Sequence, residues 1–365
     1  MFTKKMANMF EKYSVALLFL SFFVNLLMVK CQSPLAPALY IFGDSLSDTG
    51  NNNFLRTEAK ANYRPYGIDF PSGVTGRFAN GKTFTDFIAQ LLGLPLAPAY
   101  LGLSANEKIN ITTGLNYASG AAGILPESGT ALGDNLSFDE QIRYFQDTLL
   151  TNVFKNFIFP SERSKYLATS IFAISIGNND YLNNYLQPAR YSSSRIFTPQ
   201  QFANLLVKRL RSRLKRLYIL GARKFVVFNI GRVGCVPGVV NSANPKPTTP
   251  CVEDVNNLVL LFNSRLPSML TALQTFLPGS TFAQGDSFGL NQNSSEAGFS
   301  TIPIPCCQVR GDGMCVPDST PCPDRTKAIF YDAFHPTEVV NNVIANNYFS
   351  GSTCVPNIQQ LAQKS

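Results

Sequence analysis

Short apolar runs that end in glycine constrain the fold of this chain most strongly. Three such runs cover residues 38–42, 170–176 and 224–228, and they are followed by Gly43, Gly177 and Gly231. An unbroken apolar run is typical of a strand buried on both faces, because a strand with one face in water alternates apolar and polar residues. Longer amphipathic stretches separate the runs. We therefore predict an α/β fold with a parallel sheet covered by helices on both faces.

Helices and one further strand complete this prediction. Thr198 followed by Pro199 is typical of a helix N-cap with proline in the first turn. A short strand is expected at 114–117, before the glycine-rich residues 119–123. The predicted helices are 82–92, 138–154, one that begins at Thr198, 252–276 with a break at Pro267, and 336–349 as the last.

The N-terminus has the pattern of a secretory signal. Lys4, Lys5 and Lys12 precede an apolar run over residues 15–29, which is short for a membrane span. We predict a signal peptide over residues 1–31, cleaved after Cys31, and a single domain over 32–365. An uncleaved signal anchor is the alternative. The export predicts a secreted, extracellular protein without stable membrane insertion after cleavage.

Cysteines and glycosylation sequons agree with export. The remaining cysteines lack the C-x₂₋₄-C spacing of zinc sites, so we predict disulfides. We expect Cys235 to pair with Cys251 and two bridges to form within 306–322, which leaves Cys354 either free or in an intermolecular bridge. Sequons predict glycosylation at Asn110, Asn135 and Asn293.

The charge and the histidine count exclude several functions. The net charge is +8, but no block of Lys and Arg is of the nucleic-acid type, so we predict no nucleic-acid partner. The chain has one histidine, which excludes any mechanism that needs two imidazoles. Nothing in the sequence predicts a metal or another cofactor, and the oligomeric state stays open.

Two segments could supply a nucleophile and its base. Asp332 precedes His335 by three residues, so the carboxylate could orient the imidazole. Ser45 follows the first apolar run, where we expect it at the N-terminus of a helix that favours developing negative charge. A satisfied histidine and an N-cap serine are the structural alternatives. Asn179 and Gly120, beyond two other predicted strands, could donate hydrogen bonds to an oxyanion.

Five motifs in order strengthen these assignments. The chain resembles the GDSL esterase/lipase family, also called SGNH hydrolases, in its plant secreted form. The motifs are FGDSLSDTGNN at 42–52, TGRFANGK at 75–82, NYASGAAG at 116–123, IGNND at 176–180 and DAFHPTE at 332–338.

The resemblance implies a flavodoxin-like three-layer α/β/α sandwich and hydrolysis of carboxylic esters. Ser45 then corresponds to the nucleophile, His335 to the general base and Asp332 to its orienting residue. Gly120 and Asn179 correspond to oxyanion donors, with Gly123 as the alternative to Gly120. The resemblance also implies an extracellular plant enzyme of lipid or ester breakdown, in the cell wall or apoplast.

Substrate and acceptor stay open at this stage. The ester could be a triacylglycerol, a cutin-like polyester, an acetylated polysaccharide or a phenolic ester. The same residues would serve an acyltransferase, because acceptor choice depends on pocket shape. The other alternative, a secreted binding protein without catalysis, is opposed by the complete residue set.

Overall fold

A five-stranded sheet organises the residues that the structure, a computed structural model, describes, namely 33–290 and 304–364. The first four strands are parallel and the short fifth strand is antiparallel, in the order β1-β2-β3-β4-β5. The strands are β1 Leu39–Gly43, β2 Ile171–Ser175, β3 Lys224–Phe228, β4 Thr281–Gly285 and β5 Cys354–Val355. The predicted signal peptide and Asn293 lie outside the described residues.

Helices connect the strands and cover the sheet. Those of at least six residues are α1 Phe84–Leu91, α2 Ala105–Asn110, α3 Phe138–Thr148, α4 Pro160–Thr169, α5 Pro199–Ile219, α6 Pro237–Ser242, α7 Glu253–Asn263, α8 Leu266–Phe276, α9 Glu338–Ser350 and α10 Ile358–Gln363. Shorter helical turns include Asn51–Phe54, Phe154–Asn156, Asn178–Asp180 and Ser193–Ile196, and wider π-type turns cover Leu149–Val153 and Tyr181–Tyr185. Within the described residues, no helix is long and apolar enough to cross a membrane.

Successive strand residues enter two separate apolar cores, because side chains alternate between the faces of a sheet. Phe42, Phe172 and Phe225 lie in the core against α3, α5, α7 and α8. Ile41 and Ala173 lie in the opposite core, against α1, α9 and α10. The predicted parallel sheet with helices on both faces is thus confirmed, and the apolar character of both strand faces is explained.

The strand predicted at 114–117 is present as a hydrogen-bonded edge segment and lacks the length of a regular strand. Ile41 donates its N–H to Leu115 O at 3.0 Å, and Tyr117 donates to Ile41 O at 2.8 Å. The segment therefore lies beside β1 on the side away from β2. In chain order this is the 2-1-3-4-5 arrangement of flavodoxin-like sheets.

The helix predictions differ from the structure mainly at the ends. Thr198 caps α5 and accepts a hydrogen bond from the Gln201 N–H, as expected. The break in the 252–276 helix is confirmed, since α8 begins with Pro267 in its first turn. The prediction of 336–349 as the last helix is wrong, because α10 follows it. The helices α2, α4 and α6 and the strands β4 and β5 were not predicted; in β4 only Phe282 and Ala283 are strongly apolar.

Three disulfides join loops beside the sheet. Cys235 pairs with Cys251, as predicted, and the two bridges in the 306–322 cluster are Cys306–Cys322 and Cys307–Cys315. Cys354 is unpaired and buried in β5. The bridged cysteines of the 306–322 cluster form a small third core with Tyr66, Phe78 and Tyr331.

Substitution of Gly114 tests how closely the edge segment at 114–117 approaches β1. Its φ is +102°, and an added Cβ would lie 2.0 Å from Leu39 O. Gly73 also has a positive φ, of +71°, but no atom lies within 4 Å of its Cβ position. Gly73→Ala should therefore cost about 1–2 kcal/mol for the left-handed backbone. Gly114→Ala should cost about 1–3 kcal/mol more, because the backbone must move. Urea denaturation measures both, and equal losses would contradict the close approach.

Candidate active site

A cleft lies at the carboxyl ends of the parallel strands, where loops from four parts of the chain meet. Its lining includes Ser45 after β1, Ala121 after the edge segment, Asn179 after β2 and His335 before α9. Its volume is about 570 Å³. These residues are far apart in the sequence, and the parallel sheet brings them together at one edge.

Ser45, His335 and Asp332 form a continuous hydrogen-bonded chain. Ser45 Oγ lies 2.7 Å from His335 Nε2. His335 Nδ1 lies 2.9 Å from Oδ1 and 2.8 Å from Oδ2 of Asp332. Asp332 is 0% exposed and His335 is 5% exposed, while Ser45 remains partly exposed in the cleft. The structure therefore brings the predicted nucleophile, base and orienting carboxylate together in the geometry that proton transfer from serine requires.

The Asp332 carboxylate is saturated with donors. Its Oδ1 accepts the N–H groups of Phe334 and His335, both at 2.8 Å. Its Oδ2 accepts the Tyr66 hydroxyl at 2.6 Å. A buried carboxylate is stable only with such partners. These bonds also explain the local fold: the backbone turns around Asp332, and this turn places the His335 ring beside the carboxylate.

The turn that carries Ser45 differs from the prediction. No helix begins at Ser45; residues 44–47 form a bend and turn, and the first helical turn is Asn51–Phe54. Asp44 holds this turn by accepting the Leu46 N–H at 3.1 Å and the Asn178 amide at 2.9 Å. Burial raises the pKa of Asp44 to about 6. The helix dipole that the sequence predicted at Ser45 is therefore absent from this turn.

Gly120 makes contacts other than those predicted. Its N–H donates to Asp48 Oδ2 at 3.0 Å, and its carbonyl accepts the Asn52 amide at 3.1 Å. An added Cβ would lie 2.6 Å from Asn52 Nδ2 and 2.7 Å from the Phe78 ring. The alternative, Gly123, packs as closely, with its Cβ position 2.5 Å from Ser128. In the structure both glycines serve close packing, and the Gly120 N–H points to a carboxylate instead of the cleft.

Ala121 is the residue that the sequence analysis missed. It has a φ of +67°, a backbone conformation that is uncommon for a residue with a side chain. It lines the cleft with Ser45 and Asn179. Among the described residues, the N–H groups of Ser45 and Ala121 find no acceptor. Only its place in the glycine-rich motif distinguished Ala121 in the sequence.

Asn179 reaches the cleft from the turn after β2. Its amide donates to Ala122 O at 3.1 Å, and its carbonyl accepts the Asn183 amide at 2.6 Å. An amide carries two donor hydrogens, so one remains for a ligand. These bonds also fix which atom is nitrogen. The structure therefore places the predicted Asn179 donor at the cleft.

Asp180 holds the loop behind Asn179. It is 0% exposed and accepts the N–H groups of Ile124 and Leu125, at 2.7 and 2.9 Å, and the Ser128 hydroxyl at 2.8 Å. Burial raises the pKa of Asp180 to about 7.

Within the described residues, no group of three His, Cys, Asp or Glu side chains is placed to hold a metal ion.

Comparison with known proteins gives consistent results. The model of the GDSL-like lipase/acylhydrolase family matches residues 39–348. GDSL esterase/lipase 7 of Arabidopsis thaliana is 46% identical over 329 residues, which are 88% of this chain and 90% of that protein. A second Arabidopsis thaliana GDSL esterase/lipase is 44% identical, over 90% of this chain and 86% of that protein. A third is 41% identical, over 98% of this chain and 100% of that protein.

Tyr66 is expected to position Asp332 and, through it, His335. Its hydroxyl also accepts the Cys315 N–H at 3.1 Å, and burial and the nearby Asp332 raise the pKa of Tyr66, so it stays a donor. Tyr66→Phe should cost about 1.5–3 kcal/mol of stability. It should also move the Nδ1–H proton resonance of His335 downfield in NMR spectra, because Asp332 loses a competing donor.

Tyr63→Phe is the matched control. The Tyr63 hydroxyl donates to Cys315 O at 2.9 Å and so bonds the same loop without touching Asp332. It should cost about 1 kcal/mol and leave the resonance in place. The chain has one histidine, so the signal is unambiguous. Equal shifts in both variants would contradict the positioning role.

Because the pKa of Asp180 is raised, we expect the free energy of unfolding to fall as the pH rises. Its folded pKa of about 7 lies above the ordinary value of 3.8 for an aspartate, so the folded state binds the proton more tightly. This contribution to stability is complete below pH 3.8 and is lost as the pH rises through 7. Asp180→Asn, which imitates the protonated group, should flatten the thermal melting profile between pH 6 and 8. A fall that is equally steep in the variant would exclude Asp180 as its source.

Proposed function

The chain belongs to the GDSL-like lipase/acylhydrolase family, and we propose that it is a secreted serine esterase that forms an acyl-enzyme on Ser45. Family membership implies a carboxylic ester hydrolase. The observation that carries the finer proposal is the 2.7 Å contact between Ser45 Oγ and His335 Nε2, with Asp332 on the other ring nitrogen. A satisfied structural histidine would not need a partly exposed serine at its second nitrogen.

Acylation begins with proton transfer. His335 Nε2 takes the proton of Ser45 while Oγ attacks the ester carbonyl carbon and the carbonyl π electrons move to oxygen. The imidazolium that forms is stabilised by the Asp332 carboxylate at Nδ1. When the tetrahedral intermediate collapses, the C–O bond to the alcohol breaks and His335 returns the proton to the leaving oxygen.

The oxyanion needs donors that are free before the reaction. The N–H groups of Ser45 and Ala121 have no acceptor among the described residues, and one amide hydrogen of Asn179 is unused. All three residues line the cleft, so we assign these donors to the oxyanion. We assign to Ala121 the part that the sequence predicted for Gly120, whose N–H is bonded to Asp48. Preorganised donors of this kind each contribute about 10²–10³ to kcat.

Deacylation repeats the steps with water. His335 removes a proton from a water molecule, the hydroxide attacks the acyl carbon, and the Ser45 Oγ leaves with the proton that His335 carries. The products are a carboxylic acid and an alcohol, and the enzyme returns to its starting state. The reaction needs no cofactor.

Export is part of the proposal. We assign residues 1–31 to a signal peptide and 32–365 to the mature enzyme. Disulfides persist in oxidising compartments, and three of them agree with an extracellular location. Asn110 is exposed at the end of α2, where a glycan would be accommodated, and Asn135 is half-buried. We propose glycosylation at both, and at Asn293.

Ser45→Ala tests the mechanism. It should lower the hydrolysis of p-nitrophenyl esters by at least about 10⁴-fold, because within the described residues Ser45 is the hydroxyl that contacts His335 Nε2. Ser47→Ala is a matched control: Ser47 is buried in the same turn, and its hydroxyl has no hydrogen-bond partner. This control should keep its activity.

A fluorophosphonate that labels active serines gives a second readout by mass spectrometry. We expect a single adduct, on Ser45, in the wild type and in the Ser47→Ala variant. Turnover that survives in Ser45→Ala would overturn the proposal. Ester consumption that occurs only with an added alcohol, with a new ester as the product, would instead identify an acyltransferase.

A further inference from the structure

We infer that the cleft holds the acyl chain of the ester in a closed apolar arm, so that the enzyme selects medium- to long-chain acyl esters. The inference rests on the proposed function and adds the substrate class. We define the acyl arm as the part of the cleft lined by Phe84 of α1 and by Val340, Ile344 and Tyr348 of α9.

The arm begins beside the reaction centre. Pro336, which follows His335, also lines the cleft, and the α9 residues continue from it at intervals of four. Residues four apart lie on one face of a helix and each residue advances 1.5 Å, so the stripe from Val340 to Tyr348 is about 12 Å long. An extended hydrocarbon advances roughly 1.3 Å per bond, so the stripe accommodates about nine bonds, and the carbons beside Pro336 bring the chain to on the order of a dozen.

The far end of the arm is closed. Tyr348 is 2% exposed, and its hydroxyl lies 2.8 Å from Ser287 Oγ. The rings of Phe84 and Tyr348 are 6.2 Å apart, so α1 and α9 meet there. A chain that enters the arm therefore leaves water, which is the source of hydrophobic binding energy.

Several polar side chains along the arm are held by partners in the protein. Ser287 is bonded to Tyr348, and the Asn341 amide nitrogen donates to Lys82 O at 3.0 Å. Asn229 donates to Asp286 and accepts the Phe288 N–H. An apolar chain in the arm leaves these hydrogen bonds intact, so it does not incur the cost of unpaired donors there.

Polar residues elsewhere in the cleft have the chemistry expected for the alcohol. Glu58, Arg190 and Asp312 line the cleft and are exposed, together with the half-buried Asn183. The alcohol must leave before water attacks, whereas the acyl group stays bound to Ser45. The exposed polar residues therefore suit the leaving alcohol, and the closed arm suits the acyl chain.

Chain length should control activity accordingly. Each methylene that becomes buried contributes about threefold to fourfold. With p-nitrophenyl esters, kcat/KM should rise from acetate through the middle chain lengths and level off near a dozen carbons. With alkyl acetates, in which the alcohol varies, it should change little.

Ile344→Trp tests the arm by filling it. We expect kcat/KM for the dodecanoate ester to fall at least tenfold more than kcat/KM for acetate, and thermal melting reports whether the variant is folded. Val340→Phe, a smaller change nearer to the serine, should act in the same direction. Val343→Trp is the matched control, because Val343 is 39% exposed on α9 and does not line the cleft.

Binding without turnover separates this inference from the proposed function. Dodecanoic acid should bind the Ser45→Ala protein in isothermal titration calorimetry, and Ile344→Trp in that background should weaken binding at least tenfold. This result supports the arm even if no ester is hydrolysed. Undiminished binding would overturn the inference, as would equal losses for acetate and dodecanoate, whatever the fate of the esterase proposal.

Discussion

Buried carboxylates that accept backbone N–H groups are the interaction on which this site depends. The loops beyond the strands contain little regular structure, so secondary structure alone cannot fix them. Asp48 accepts the N–H groups of Gly50 and Asn51 at 2.7 Å, as well as that of Gly120. Asp180 and Asp332 do the same for the loops at 124–125 and 334–335. Because a carboxylate without donors is very unfavourable in the interior, each acid forces its loop into one arrangement.

This organisation connects stability to chemistry. The acids that fix the loops next to Ser45 and Asn179 have raised pKa values because they are buried, about 6 for Asp48 and about 7 for Asp180. A mildly acidic medium therefore favours the folded state, because these carboxyl groups bind a proton more tightly in the folded chain than in the unfolded chain. Asp332 differs in that its partners include the base itself and a tyrosine hydroxyl. The same physical rule thus fixes the loops and orients His335.

In the proposed mechanism, two groups of lining residues hold the two halves of the ester. The residues along α9 up to the buried Tyr348 are apolar, whereas Arg190, Glu58 and Asp312 are polar and exposed. An acyl-enzyme mechanism uses this asymmetry, since one half of the substrate must remain while the other leaves. The loops set the reaction, and the packing of α9 against α1 sets the shape of the arm.

The sequence by itself determined the first three parallel strands, the edge segment at 114–117, the Thr198 helix cap and the choice of Ser45, Asp332 and His335 as candidate residues, because these depend on local patterns and on motifs with fixed spacing. It predicted less well wherever a contact between distant segments decides the outcome. The turn at Ser45 is set by Asn178, the Gly120 N–H is taken by Asp48, and Ala121 faces the cleft in its place. Only the tertiary structure decides such pairings, because a hydrogen bond forms only where the folded chain brings donor and acceptor to the right distance and angle.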